Sequence, residues 1–131
     1  MKLTHQLTKP ATEVIEQLSK MRNFVNVHPV IYKIESVGEN EYKAYERLTF
    51  LSIPVKFNYT FTVNLKKNII TFNANVKNMT QIEMRFEVAV DGSGCIVNET
   101  VDFNTTLPIK GTMEKIFKKQ HNQLFLNIEK L

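Results

Sequence analysis

Two carboxylates interrupt otherwise apolar alternations. Glu46 shares its parity with Tyr42, Ala44, Leu48 and Phe50, and Glu99 shares its parity with Val97, Val101 and Phe103. Burying an ionised carboxyl without a partner is costly, so such a group either pairs or stays protonated with a raised pKa. Facing a cavity, it would serve as a general acid, a base or a polar anchor. A bulge or an outward parity would instead leave it on the surface. Glu46 and Glu99 are therefore the candidate catalytic residues, and the reaction, if any, is proton transfer.

Other polar groups fall near apolar faces. Gln120 sits near the centre of a C-terminal helical stripe, with Asn127 near its edge and His121 at its flank between Phe117 and Phe125. By helical angle Gln120 is the better cavity residue; a hydrogen bond to a strand backbone would also account for it. His28, before Pro29, falls at the cavity mouth or a helix–strand junction, and a capping or packing role accounts for it more simply than a role in the site. His5, His28 and His121 are too scattered for a metal motif, and with only two aspartates, Asp91 in a turn and Asp102 on a strand, magnesium or calcium lacks its usual ligands. No metal site and no cofactor are expected. Cys95, the only cysteine, has no neighbouring histidine or arginine in sequence and reads as structural. Gly92-Ser93-Gly94 lies between two strands, so it makes a turn and not a phosphate loop.

These groups need elements to position them. Residues 2–8 read as a strand with Leu3, His5 and Leu7 on one parity. Pro10 opens a helix that Thr8 would cap, with Val14, Ile15 and Leu18 at helical spacing. A shorter helical piece, Arg22 to Val27, stops before Pro29. The period then changes to two. Strands follow at Val30–Val37 and Glu41–Phe50, then a break at Pro54. From Val55 to Leu65 every odd position is apolar and every even position polar up to Asn64, which makes a half-buried antiparallel strand. Further strands run over Ile70–Val76, Ile82–Val90 and Cys95–Thr106, with Asp91-Gly92-Ser93-Gly94 as a hairpin loop. A final helix carries Ile109, Met113, Ile116, Phe117, Leu124, Ile128 and Leu131 on one stripe. Its roughly 22 residues span about 33 Å, as long as a ten-residue strand.

The composition is that of one globular domain, residues 1–131: 43% hydrophobic, 23% charged, four glycines and four prolines. Disordered, collagen-like and disulfide-stapled chains are excluded. Net charge is +4, but residues 109–131 carry +3 of it on five lysines and two glutamates. With only three arginines, this reads as a solvated helix face, and nucleic acid is not the expected partner. No apolar run is long enough to span a membrane, and the first residues show no signal-peptide pattern. The expected location is cytoplasmic. The Asn-x-Thr triplets at Asn58, Asn78, Asn98 and Asn104 then reflect Asn- and Thr-rich strands.

The element order, with Lys9-Pro10-Ala11-Thr12-Glu13-Val14-Ile15 after strand one, Asn26-Val27-His28-Pro29 before strand two and Ile109-Lys110-Gly111 before the last helix, resembles the START-like (SRPBCC) superfamily. That superfamily includes birch-pollen-allergen-like proteins and polyketide cyclases. The resemblance implies an α+β helix-grip fold: a seven-stranded antiparallel sheet, β-α-α-β6-α, wrapped around the long C-terminal helix, with a cavity between them. The tryptophan that many relatives carry is missing. The expected function is binding of a hydrophobic lipid-, quinone- or polyketide-like molecule, as a monomer or homodimer. Its contacts would come from Tyr32, Glu46, Phe57, Tyr59, Phe72, Met84, Phe86, Glu99, Phe103, Met113, Phe117 and Gln120. A cyclase or dehydratase using Glu46 or Glu99 as general acid/base is one alternative. A module docking a protein or the ribosome is another.

Overall fold

The computed structural model describes residues 1–50 and 52–131; Leu51 and the side chain of Phe50, an inward-parity residue in the sequence, lie outside the described residues. The elements are β1 (Lys2–Leu7), α1 (Ala11–Ser19), α2 (Met21–Val27), β2 (Ile31–Gly38), β3 (Glu41–Phe50), β4 (Ile53–Lys66), β5 (Ile69–Val76), β6 (Thr80–Asp91), β7 (Gly94–Thr105) and α3 (Lys110–Glu129). The strands form one antiparallel sheet in the order β1-β7-β6-β5-β4-β3-β2. Strands β2 to β7 are a meander, each paired with the next. β1 adds beside β7, and α1 and α2 carry the chain from that edge to the other.

Alternation decides the faces. On β6, Thr80, Ile82, Phe86 and Val88 are buried while Gln81, Glu83, Arg85 and Glu87 are exposed. Val14 and Leu18 of α1, Phe24 and Val27 of α2, and Leu124, Phe125 and Ile128 of α3 close the core over Phe72, Phe86, Val97 and Val101.

Close approach of β1 to β7 depends on one glycine. A Cβ at Gly94 would stand 2.2 Å from the Leu7 carbonyl oxygen. Only a residue without a side chain lets the end of β1 settle there. That pairing brings His5 opposite Val97 and Leu3 opposite Glu99.

Three local expectations change. Pro54 does not break the sheet; it is the second residue of β4, opposite Thr49. β5 joins β4 only from Thr60 onward, so on that side Pro54 has no ladder bond to lose. Thr8 does not cap α1, whose N-cap is Pro10 without a side-chain bond. Instead the Thr8 N–H donates to the Glu129 carboxylate at 2.9 and 3.0 Å, tying the end of β1 to the end of α3. Finally, Ile109 and Leu131, at the ends of the apolar stripe, are exposed, whereas His121 and Phe125 are buried.

Candidate functional site

α3 changes character along its length. In its second half His121, Leu124, Phe125 and Ile128 are buried. In its first half Met113, Ile116, Phe117 and Gln120 are only half-buried, because a cavity of about 240 Å³ lies between them and the sheet. Its sheet wall comes from Leu48 of β3, Phe57 and Tyr59 of β4, Ala74 and Val76 of β5, and Ile82 and Met84 of β6. Met79, Leu107 and Ile109 lie toward its outer rim. The wall is apolar except for Glu46, Tyr59, Gln120 and Thr80, and Thr80 is occupied by the hydroxyl of Thr105 at 2.9 Å.

The polar groups gather at the inner end. Glu46 pairs across with Phe57, and Tyr59 with Ala44, so Glu46 and Tyr59 are diagonal neighbours on one face. The Tyr59 hydroxyl donates to Glu46 Oε2. Burial pushes the Glu46 carboxyl up; the Tyr59 hydrogen bond and the charge of His121 offset this only in part. Burial likewise pushes the Tyr59 hydroxyl well above its ordinary value, so it stays a neutral donor.

Beyond this pair the cavity narrows to a cell of about 20 Å³ that reaches His28, His121, Phe24 and Phe72. His28 Nδ1 accepts the backbone N–H groups of Val30 (3.2 Å) and Ile31 (3.1 Å). Burial, helped by the charge of His121, lowers its pKa to about 3. The neutral ring must then carry its proton on Nε2.

His121 is backed by a carboxylate. Glu99 is 1% exposed. Its Oε2 takes His121 Nδ1, and its Oε1 lies 2.9 Å from His5 Nε2. Burial alone would raise the Glu99 carboxyl, but the hydrogen bonds from His121 and His5 and their charges outweigh it and leave the pKa lowered. His5 is itself clamped, its ring stacked 4.0 Å from that of Phe125. The His5–Glu99–His121 chain thus links β1, β7 and α3. An ionised carboxylate only accepts, so both facing ring nitrogens carry hydrogens. Nδ1 of His121 is thereby committed to Glu99, while the ring lines the cell.

Of the residues expected at the site, Glu46, Phe57, Tyr59, Met84, Met113, Phe117 and Gln120 line the cavity, and Phe72 lines the cell. Glu99 lines neither; it stands behind His121. Phe86 is fully buried between Phe72, His121 and Phe125. Phe103 packs edge-on against Phe117, 5.1 Å between centroids. Tyr32 is on the opposite face of β2 from buried Ile31, 47% exposed, with the Arg47 guanidinium 4.9 Å over its ring. Asn127 donates to the Val27 carbonyl at 2.8 Å, a structural bond. Cys95 is buried, and burial together with the charge of Glu129 raises its thiol, the opposite of what a nucleophile needs. The described residues hold no cluster of three metal-ligating side chains, and no described helix is long and apolar enough to cross a membrane.

A long helix is thus gripped by a seven-stranded antiparallel sheet, with a cavity between them. No family model matches the sequence, and no curated protein matches it. Solved structures do. A START superfamily protein from Mycobacterium smegmatis superposes with a TM-score of 0.80 at 14% identity, covering 98% of this chain and 93% of that one. The chain has the START-like helix-grip fold. Ara h 8.0201 shares it with a TM-score of 0.78 at 12% identity, over 98% of this chain and 93% of its own. So does the Zhui aromatase/cyclase from Streptomyces sp. R1128, with 0.74 at 12% identity over 98% and 89%. At such identities the START-like likeness concerns backbone architecture, and the chemistry of the cavity rests on this chain's own residues.

Proposed function

We propose that the protein binds a hydrophobic small molecule of the lipid, quinone or polyketide kind between the sheet and α3, with the molecule's one polar end at Glu46, Tyr59 and Gln120. The observation that carries this reading is the cavity of about 240 Å³ with an apolar wall and polar groups at its inner end. Apolar walls supply affinity by removing ligand surface from water, and a few convergent polar groups fix orientation. The raised carboxyl of Glu46 and the neutral hydroxyl of Tyr59 favour an uncharged oxygen, such as a carbonyl or hydroxyl, over a carboxylate. The START-like neighbours include proteins named as aromatase/cyclases, and Glu46, whose carboxyl burial pushes up, is the residue that an acid-catalysed reading would use.

Extraction of the purified protein with organic solvent, followed by mass spectrometry, tests the binding reading. A stoichiometric apolar compound is expected. Empty protein that also binds no apolar dye would contradict it.

A further inference from the structure

The cell at the inner end of the cavity has a feature that binding does not use. It is about 20 Å³ in volume, the space of one water molecule. Two imidazoles face it, both with Nδ1 already committed: that of His121 to Glu99 and that of His28 to two backbone N–H groups. Their ring centroids are 6.5 Å apart. Each Nε2 is left uncommitted: that of His28 carries a hydrogen, and that of His121 offers a lone pair whenever its ring is neutral. Glu46 and Tyr59, from β3 and β4, face the same cell. A water molecule there would meet His121 Nε2, the His28 Nε2–H and the Glu46 carboxyl, the number of partners an ordered buried water requires.

We propose that this cell seats a hydrolytic water, with His121 as its general base and Glu99 as the residue that positions His121, and that the protein hydrolyses a small apolar ester lodged in the cavity. The inference rests on the reading of that cavity as an apolar ligand site. His121 Nε2 takes a proton from the water as its oxygen bonds to the ester carbonyl carbon. The carbonyl π pair moves to oxygen, where the His28 Nε2–H meets the developing charge. The carbonyl re-forms as the C–O bond to the alcohol breaks, and the leaving oxygen takes the proton back from His121. Ester and water become acid and alcohol, with no oxidation or reduction. The Glu99 carboxylate holds the tautomer and stabilises the imidazolium formed midway, with His5 and Phe125 holding the carboxylate and its clamp. Burial keeps His28 neutral, with a pKa of about 3 and thus a donor on Nε2.

Para-nitrophenyl acetate is the probe, followed by nitrophenol release over many turnovers so that acylation of surface lysines is not counted. The wild-type protein is expected to show saturable hydrolysis that an apolar dye inhibits. His121→Gln, which keeps size and polarity, is expected to lower the rate by about a hundred- to ten-thousandfold, the usual contribution of a general base. Glu99→Gln is expected to lower kcat with KM little changed and to shift the pH profile of kcat, which a merely structural role would not do. Circular dichroism on each variant reports folding, and Glu99→Asp, retaining the carboxylate, should recover part of the rate. Dye binding without saturable hydrolysis, or full activity in folded His121→Gln, overturns the hydrolytic site and leaves the binding reading intact. Loss of dye binding in the wild type overturns both.

Discussion

Glu99 and His121 face each other across the contact between β7 and α3, carboxylate to Nδ1, both almost fully buried. With His5 on the other oxygen, the carboxylate ties one edge of the sheet to the gripped helix. Removing it leaves two buried rings without their acceptor. Glu99→Ala is expected to cost about 3–5 kcal/mol, as for other broken buried pairs. Urea unfolding measures this, and a loss below about 1 kcal/mol would show that the chain of three is not structural.

Acid should destabilise the protein in two separable windows. His28 titrates at about 3 when folded against 6.5 when unfolded. The unfolded chain therefore binds more protons between those values, and stability falls as the pH drops below 6.5. Glu99 has a lowered folded pKa, so its contribution is present above the ordinary 4.5 and is lost as pH falls through the folded value. His28→Phe should flatten the profile from pH 6.5 to 4.5 and leave the steeper fall below it. A His28→Phe profile that keeps the wild-type slope between pH 6.5 and 4.5 would refute the assignment to His28.

Glu46 predicts the opposite slope. Its folded pKa is raised, so the stability associated with its protonated form is full below 4.5 and is lost as pH rises through the folded value. Glu46→Gln should gain stability relative to the wild type as the pH is raised. Tyr59→Phe removes a bond that favours the carboxylate, so the Glu46 pKa should climb further, at a cost of about 1–3 kcal/mol for the lost partner. Carbon-detected NMR titration of the Glu46 carboxyl reads the shift; a fall on Tyr59→Phe would contradict the bonding described.

Two glycines should respond oppositely. Gly94→Ala sets a Cβ against the Leu7 carbonyl at 2.2 Å and is expected to destabilise by about 1–3 kcal/mol or more, as overpacking does. Gly111, in the first turn of α3 with open space around it, should gain roughly 0.5–1 kcal/mol on change to alanine. Equal effects in thermal unfolding would contradict the packing described for the β1–β7 edge.

The alternations made the sheet legible. Six odd apolar positions from Val55 to Leu65 announce β4, and the same parity argument makes Glu46 and Glu99 candidates for inward carboxylates while leaving a surface position open. The partners of Glu99 were not legible, because His5 is 94 residues away and becomes a neighbour only when β1 pairs with β7. His121 reads from the helical stripe as a flank residue, because the carboxylate that receives it comes from β7 and the helix pattern does not show it. In the fold both ends are exposed and the second half of α3 presents His121 and Phe125 to the core. Tyr32 does not reach the cavity, because β2 shifts register between Ile31 and Lys33 and buries Ile31 instead.

The central claim, an apolar ligand held between sheet and α3, is tested most directly by filling the cavity. Ile116 lines it from the helix, and Ile116→Trp occupies it from a half-buried position. Titration of native wild type and variant with an environment-sensitive naphthalene dye compares them at matched folding. Saturable one-site binding to the wild type is expected, weakened at least about tenfold in Ile116→Trp, or ~1.4 kcal/mol. Equal binding by the two proteins would contradict it.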